Sequence, residues 1–237
     1  MGKQNGLYLH GKSGNILYYS WKEIPCIRTI PANVYQSPVV VAQKQANGLS
    51  TSMGGSFRRL LGGALPYPKN MDMQTSLRLA LLKLLKSGLV KAEPPQEIPF
   101  ISGISFNKAS VLSNCMKVPL NITLNGPDEF ALHLPEIVPL MAFNAPPATA
   151  FIQLKIAAAC CNIATGEALQ NYNEAIIIPY NAETIPAQTK LFSLPMPAGS
   201  LTMVVIALEY FTNVHGTPLL VDDERYRPSR VIASVIR

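Results

Sequence analysis

The chain has 237 residues, of which 48% are apolar and only 14% are charged. This composition excludes an intrinsically disordered protein, because it supplies enough hydrophobic side chains for a sizeable core. No run of about 18 uncharged apolar residues is present, so we expect no membrane span. The N-terminal residues lack the apolar region of a secretory signal, and we therefore expect a cytoplasmic protein.

The formal net charge of +6 conceals an uneven distribution. Up to Lys91 the sequence has twelve basic and two acidic residues, whereas from Ala92 onward it has eight basic and twelve acidic residues. The first part thus carries a net charge of +10 and the second part −4. Such asymmetry indicates either a polyanionic partner for the basic part or attraction between the two parts, within one chain or between copies.

The first predicted element is a β-hairpin. Ser13-Gly14-Asn15 is typical of a turn, and the following Ile16–Trp21, rich in β-branched and aromatic residues, predicts a strand. Lys22-Glu23 is the expected hairpin tip, and residues 24–30 the returning strand, which ends before Pro31. This hairpin contains the only tryptophan of the chain, Trp21.

Two helices are predicted next. Ser37 is a typical N-cap and Pro38 a typical first helical residue, and apolar residues then recur at three- and four-residue spacing over residues 39–61. Three glycines weaken this first helix, and we expect them to kink or split it: Gly48, Gly54 and Gly55.

The second predicted helix covers residues 73–87. Asp72 is its expected N-cap, and Gly88 is expected to end it in the left-handed conformation. Leu79 and Leu82 widen the apolar stripe of the helix, which predicts that the helix is well covered.

Residues 92–99 are rich in proline and read as a linker, and after them the pattern becomes β. Strands are predicted near residues 118–124, 130–134, 150–161, 174–179, 190–194, 200–211, 218–221 and 231–236. The predicted class is therefore α+β. An N-terminal β-hairpin with two helices (residues 1–94) precedes an antiparallel, immunoglobulin-like β-sandwich (residues 95–237).

One nucleotide-binding motif is matched formally. Residues 6–13 fit the P-loop pattern G-x-x-x-x-G-K-S, which requires a buried strand before the loop and a helix after it. Only five residues precede Gly6, and an aromatic β pattern follows Ser13. The sequence therefore does not predict a P-loop.

No other motif indicates chemistry. The four cysteines form no Cys-x-x-Cys pair and are expected to be free and buried, and the three histidines lie far apart. The acidic residues 222–224 favour a solvated turn paired with Arg225 and Arg227 over a calcium loop. We expect no catalytic residue, no metal and no cofactor.

The basic and aromatic residues of the first part are the one functional signal. Side chains that we interpret as phosphate contacts are Lys12, Lys22, Arg28, Arg58 and Arg59. Aromatic rings that are available to stack on bases are Tyr8, Tyr18, Tyr19, Trp21 and Tyr35. The alternative interpretation is sheet packing or a protein interface formed by Tyr18, Tyr19 and Trp21.

The N-terminal residues also carry a resemblance. The run Gly11-Lys12-Ser13-Gly14-Asn15, then Tyr18-Tyr19, Trp21, Arg28, Pro31 and Ser37-Pro38, resembles the opening of an uncharacterised bacterial family common in gut anaerobes. Members of that family begin with G-K-x-G-N, an aromatic strand, an Arg-x-x-Pro turn and a helix, and continue into a β-rich half. The match covers roughly the first sixty residues, and residues 106–112, 175–181 and 210–211 are similar to the β-rich half. The resemblance implies the architecture, and it implies no activity because none is established for that family.

Together these observations predict a non-enzymatic binding or assembly protein whose partner is another copy or another protein, for which an N-terminal β segment is suited. The alternative is a nucleic-acid-binding protein that uses the basic N-terminal part.

Overall fold

The computed structural model describes residues 3–5, 8–30, 37–67, 70–89, 96–126 and 128–237. The chain divides into two compact units, Met1–Lys44 and Gln45–Arg237. The boundary predicted between residues 94 and 95 lies outside the described residues, as do Pro31 and residues 92–95 of the predicted linker. Among the described residues, no helix is long and apolar enough to cross a bilayer.

The first unit contains a four-stranded antiparallel sheet in chain order: β1 (Lys3–Asn5), β2 (Tyr8–Ser13), β3 (Ile16–Trp21) and β4 (Ile24–Thr29). The predicted hairpin is confirmed. Lys22 and Glu23 form its tip with φ of +48° and +67°, as in the tight turns whose twist matches that of the strands. Strands β1 and β2 were not predicted, because their polar and glycine-containing residues lack the alternation of a half-buried strand.

Helix α1 (Pro38–Leu60) begins as predicted, since the Ser37 hydroxyl accepts the N–H of Val40 at 3.4 Å. The helix is continuous through its three glycines. Helix α2 (Met71–Ser87) begins earlier than predicted, and Asp72 is not its cap. Asn70 takes that role, because its Oδ1 accepts the N–H groups of Asp72 and Met73. Gly88 ends α2 at φ +73°, as predicted.

Among the described residues after α2, two short α-helices and nine strands follow: β5 (Gln96–Glu97), α3 (Leu112–Cys115), β6 (Asn121–Leu124), β7 (Glu129–Leu134), α4 (Pro139–Ala142), β8 (Thr149–Asn162), β9 (Ala168–Pro179), β10 (Gln188–Ser193), β11 (Ser200–Val214), β12 (Thr217–Leu220) and β13 (Ser229–Ile236). All eight strands predicted after residue 100 are present. Together with β5 they form a six-stranded sheet in the order β5-β13-β11-β8-β9, with β12 beside β11, and a three-stranded sheet in the order β10-β7-β6. Both sheets are antiparallel.

The six-stranded sheet is covered on both faces. In β11, Leu201, Met203 and Val205 pack with α1 and α2, whereas Val204, Ile206 and Leu208 pack with the three-stranded sheet. The second unit is therefore a mixed helix-and-sheet fold in three layers, and its sheets are not closed into a barrel. The helices that the sequence assigned to a separate N-terminal region share a core with the large sheet.

Candidate binding surface

Cross-strand register gathers several predicted residues on one face of the N-terminal sheet. Lys12 in β2 lies opposite Leu17 in β3, and Leu17 lies opposite Arg28 in β4. Directly opposed residues point to the same side, and side chains alternate along a strand. Tyr19 and Trp21 therefore share this side with Leu17. We name it the basic–aromatic face, and it consists of Lys12, Leu17, Tyr19, Trp21, Ile24, Cys26 and Arg28.

The basic–aromatic face is open to solvent. Trp21 and Ile24 lie directly opposite each other, and each is 64% exposed. The guanidinium carbon of Arg28 lies 5.7 Å from the centre of the Tyr19 ring, within the range of a cation–π contact. Among the described residues, neither Lys12 nor Arg28 forms an ion pair, and the same holds for Lys22 at the hairpin tip.

Tyr18 lies on the other face of the sheet, opposite Gly11 and Ile27. The structure thus separates the three residues of the predicted interface, with Tyr19 and Trp21 together and Tyr18 apart. Ile27 is 69% exposed, so this second face also presents apolar surface. Of the side chains described in Met1–Lys44, none is buried.

The two remaining predicted cations belong to the second unit. Arg58 lines a cleft of about 250 Å³ that lies between α1 and α2 and also contains Arg78. Arg59 is the exposed neighbour of Arg58 in α1. The predicted phosphate contacts are therefore divided between the two units. Of the predicted stacking rings, Tyr35 and the side chain of Tyr8 lie outside the part of the chain that the structure describes.

The formal P-loop match has the wrong local structure for phosphate binding. Lys12 and Ser13 belong to β2 and lie opposite Leu17 and Ile16 of β3, so no helix N-terminus follows them. Gly6 lies outside the described residues. The described part of the motif is a sheet strand, in agreement with the sequence interpretation.

The other polar clusters have structural roles. The ring nitrogens of His133 each lie 3.0 Å from a threonine hydroxyl, those of Thr123 and Thr189. In the acidic turn, Asp222 pairs with Arg227 at 2.8 Å and Asp223 pairs with Arg225 at 2.7 Å, as predicted. No group of three metal-ligating side chains is present among the described residues.

The cysteines differ in accessibility, and this difference predicts their reactivity. Cys115, Cys160 and Cys161 are buried, whereas Cys26 is half-buried on the basic–aromatic face. Burial, with the neighbouring Cys160 second, raises the pKa of the Cys161 thiol to about 12, so its reactive thiolate is nearly absent at pH 8. We expect iodoacetamide at pH 8 to modify Cys26 rapidly and the three buried thiols only after unfolding in guanidinium chloride. Peptide mass spectrometry measures this order, and rapid native modification of Cys161 would contradict it.

Comparisons of the chain with protein-family models, with curated proteins and with solved structures give no match. The resemblance to the family of gut anaerobes therefore stays a prediction from the sequence.

Proposed function

We propose that this chain is a non-enzymatic binding protein that assembles with further copies of itself through the basic–aromatic face. The observation that carries the proposal is that no described side chain of the N-terminal unit is buried, although this face of its sheet presents Trp21 and Ile24. Ordering a residue costs about 1–2 kcal/mol in backbone entropy, which a small sheet offsets by burying an apolar face. An interface with a second copy supplies that burial.

The charges favour a second copy as the partner. The N-terminal unit has five basic residues and one acidic residue, whereas residues 92–237 carry a net charge of −4. The acidic part offers glutamates that are exposed and, among the described residues, form no ion pair: Glu97, Glu129, Glu136, Glu167, Glu183 and Glu224. Opposite charges steer and align two such surfaces, and salt weakens this attraction.

The face of the sheet suits this contact better than its edge. β4 is an end strand of the sheet, and an exposed end strand invites the addition of another strand. Pro25 lies in β4 and supplies no backbone N–H, which is typical of an edge protected against pairing. We therefore assign the contact to the side chains of the basic–aromatic face.

We also propose an immunoglobulin-like character for the two packed sheets of the second unit. The support is that both sheets are antiparallel and share one buried cluster, which contains Phe130 and Phe192 of the small sheet and Ile206 and Leu208 of the large sheet. Such sandwiches often serve binding without chemistry, in keeping with the expected absence of a catalytic residue. We likewise propose a bacterial origin and a cytoplasmic location, which the sequence predicts.

Light scattering coupled to size-exclusion chromatography tests the assembly. We expect oligomers whose fraction rises with protein concentration and falls between 0.05 and 0.5 M salt. Trp21→Ala and Ile24→Ala are each expected to weaken association about 10–100-fold, since exposed aromatic and apolar anchors dominate interfaces. Met141→Ala, at a side chain of the second unit that is 75% exposed, is the matched control and should leave association unchanged.

A protein that stays monomeric at every concentration would refute this proposal. So would an oligomer that both N-terminal variants leave intact, because assembly would then use another surface. If the N-terminal sheet packs on its own chain instead, Trp21 fluorescence will be blue-shifted in a monomer, and the mass measurement will separate that arrangement from assembly.

Nucleic-acid binding is the second candidate, favoured by the placement of Lys12 and Arg28 on the same face as Tyr19 and Trp21. Cations beside exposed rings neutralise phosphates while bases stack. Because Trp21 is the only tryptophan, its fluorescence reports directly on stacking. Quenching by single-stranded DNA at low salt that Arg28→Gln reduces would favour this candidate, and unchanged fluorescence would exclude it.

A further inference from the structure

The second unit contains a cleft of about 470 Å³ that is unrelated to the basic–aromatic face. It lies between β13, the loop at residues 102–103, α3 and the segment that leads into β6. Its volume falls within the range of small-molecule sites, about 300–1,000 Å³. The side chains of Leu112, Met116, Val118 and Ile232 form its apolar walls and belong to the core between the two sheets or pack against it.

Two cations, Arg230 and Lys117, line this cleft, and none of its lining residues is acidic. Among the described residues, Arg230 forms no ion pair although it is half-buried. The neighbouring arginines are neutralised: Arg227 meets Glu209 and Asp222, and Arg237 meets Asp128 at 2.7 Å. A half-buried guanidinium normally requires such a partner, because removing it from water is costly.

Gly103 helps to place the guanidinium of Arg230. Its N–H donates to the carbonyl of Val231 at 2.6 Å, which holds the loop against β13. A Cβ at Gly103 would lie 3.2 Å from Nη2 of Arg230, and the backbone there has φ +99°. Both the close approach of Arg230 and the positive φ therefore favour glycine at position 103. Without a side chain there, the guanidinium of Arg230 can lie against the loop at the cleft.

The hydroxyl groups of the cleft are of two kinds. Ser234 donates to the carbonyl of Ile98 at 2.8 Å, so the 2.9 Å contact between the Ser102 and Ser234 hydroxyls uses the proton of Ser102. Ser102 is left as an acceptor only. The hydroxyl of Ser113, in contrast, is exposed and has no partner among the described residues, so it is available to donate to an anion.

We propose that this cleft binds a small organic carboxylate that carries an apolar body. Arg230 pairs with the carboxylate through two parallel hydrogen bonds, the geometry that guanidinium and carboxylate share. Lys117 adds a second positive charge at the exposed side, and the walls formed by Leu112, Met116 and Ile232 take the apolar body. The ligand thus supplies the negative charge that the chain itself does not place beside Arg230.

Methyl NMR of the full chain tests this site with sodium octanoate as the probe. We expect octanoate to shift the Met116 methyl signal, while the signal of Met73, which lines the cleft at Arg58, stays in place. 1-Octanol and inorganic phosphate each lack one half of the recognised chemistry, and both should bind at least about tenfold more weakly. Equal binding of octanol, or tighter binding of phosphate, would overturn the proposal.

Substitutions of Arg230 and Lys117 test whether these two cations bind the carboxylate. Arg230→Gln should weaken octanoate binding about 10–100-fold, as expected for loss of a bidentate charged contact. Lys117→Gln, at an exposed side chain, should weaken it about three- to tenfold. Arg59→Gln, an exposed arginine of α1 outside the cleft, is the matched control and should change nothing. Unchanged affinity in the Lys117 and Arg230 variants, or no binding to the unmodified chain, would refute the assignment.

Discussion

Replacing Gly166 with alanine is expected to lower the free energy of unfolding by about 2–4 kcal/mol. The first cause is conformational, because Gly166 has φ +74° and an alanine in that region is strained by about 1 kcal/mol. The second cause is steric. A Cβ at Gly166 would lie 2.9 Å from Oγ of Ser52 and 3.1 Å from the backbone nitrogen of Met53, and helix α1 cannot move that backbone atom cheaply.

The close approach at Gly166 is part of how α1 is held on the large sheet. Gly166 lies in the turn between β8 and β9, and its carbonyl accepts the hydroxyl of Ser56 at 2.8 Å. Ser56 is buried in α1, and Phe57 beside it enters the core under the sheet. A methyl group that separates the turn from α1 therefore weakens a hydrogen bond and a core contact together.

Gly199→Ala is the matched control for this prediction. Gly199 has nearly the same conformation, φ +75°, but among the described residues no atom apart from those of Gly199 and its two chain neighbours lies within 4 Å of the position of its missing Cβ. Its replacement should cost only the conformational part, about 1 kcal/mol. Urea unfolding followed by circular dichroism measures the loss in free energy of unfolding for both variants. Equal losses would show that α1 does not contact the turn closely enough to exclude a methyl group.

Local patterns in the sequence were sufficient for the elements that depend on neighbouring residues. The aromatic run Ile16–Trp21 and the tip at Lys22-Glu23 define the hairpin, because strand propensity and turn conformation are properties of a few adjacent residues. The end of α2 at Gly88 follows from the same kind of local reason. The sequence placed the start of α2 two residues too late, because Asn70 and Asp72 are both good N-caps and only the backbone geometry selects Asn70.

Features that depend on distant residues were not predictable. Strand β11 is buried on both faces, because helices cover one face and a second sheet covers the other. The candidate surface shows the same limit. Lys12 and Arg28 lie on either side of Leu17 only because of the register of three strands. Lys117 and Arg230 line the same cleft of the second unit, and no local pattern links residues so far apart in sequence.

Leu79 and Leu81 lie two residues apart in α2, but only distant residues decide which of them is buried, so their substitutions should have unequal effects on stability. The apolar stripe that Leu79 widens predicted that α2 is well covered, but Leu79 is 53% exposed, whereas Leu81 is fully buried. A methyl carbon of Leu81 lies 3.9 Å from the position of a Cβ on Gly54, where α1 and α2 approach each other. Leu81→Ala should therefore cost about 2–5 kcal/mol, through lost burial and the cavity left between the helices and the sheet.

Leu79→Ala is the matched control, since it makes the same substitution two residues away on the same helix. It should change the free energy of unfolding by less than about 1 kcal/mol, because little apolar surface is lost and alanine has a high helix propensity. Urea unfolding of both variants, with the slope of the transition compared, gives the two values. Similar losses would mean that α2 is covered on both sides, as the sequence alone suggested. A loss confined to Leu81 would place the stability of the helical layer in its contact with α1 and the large sheet.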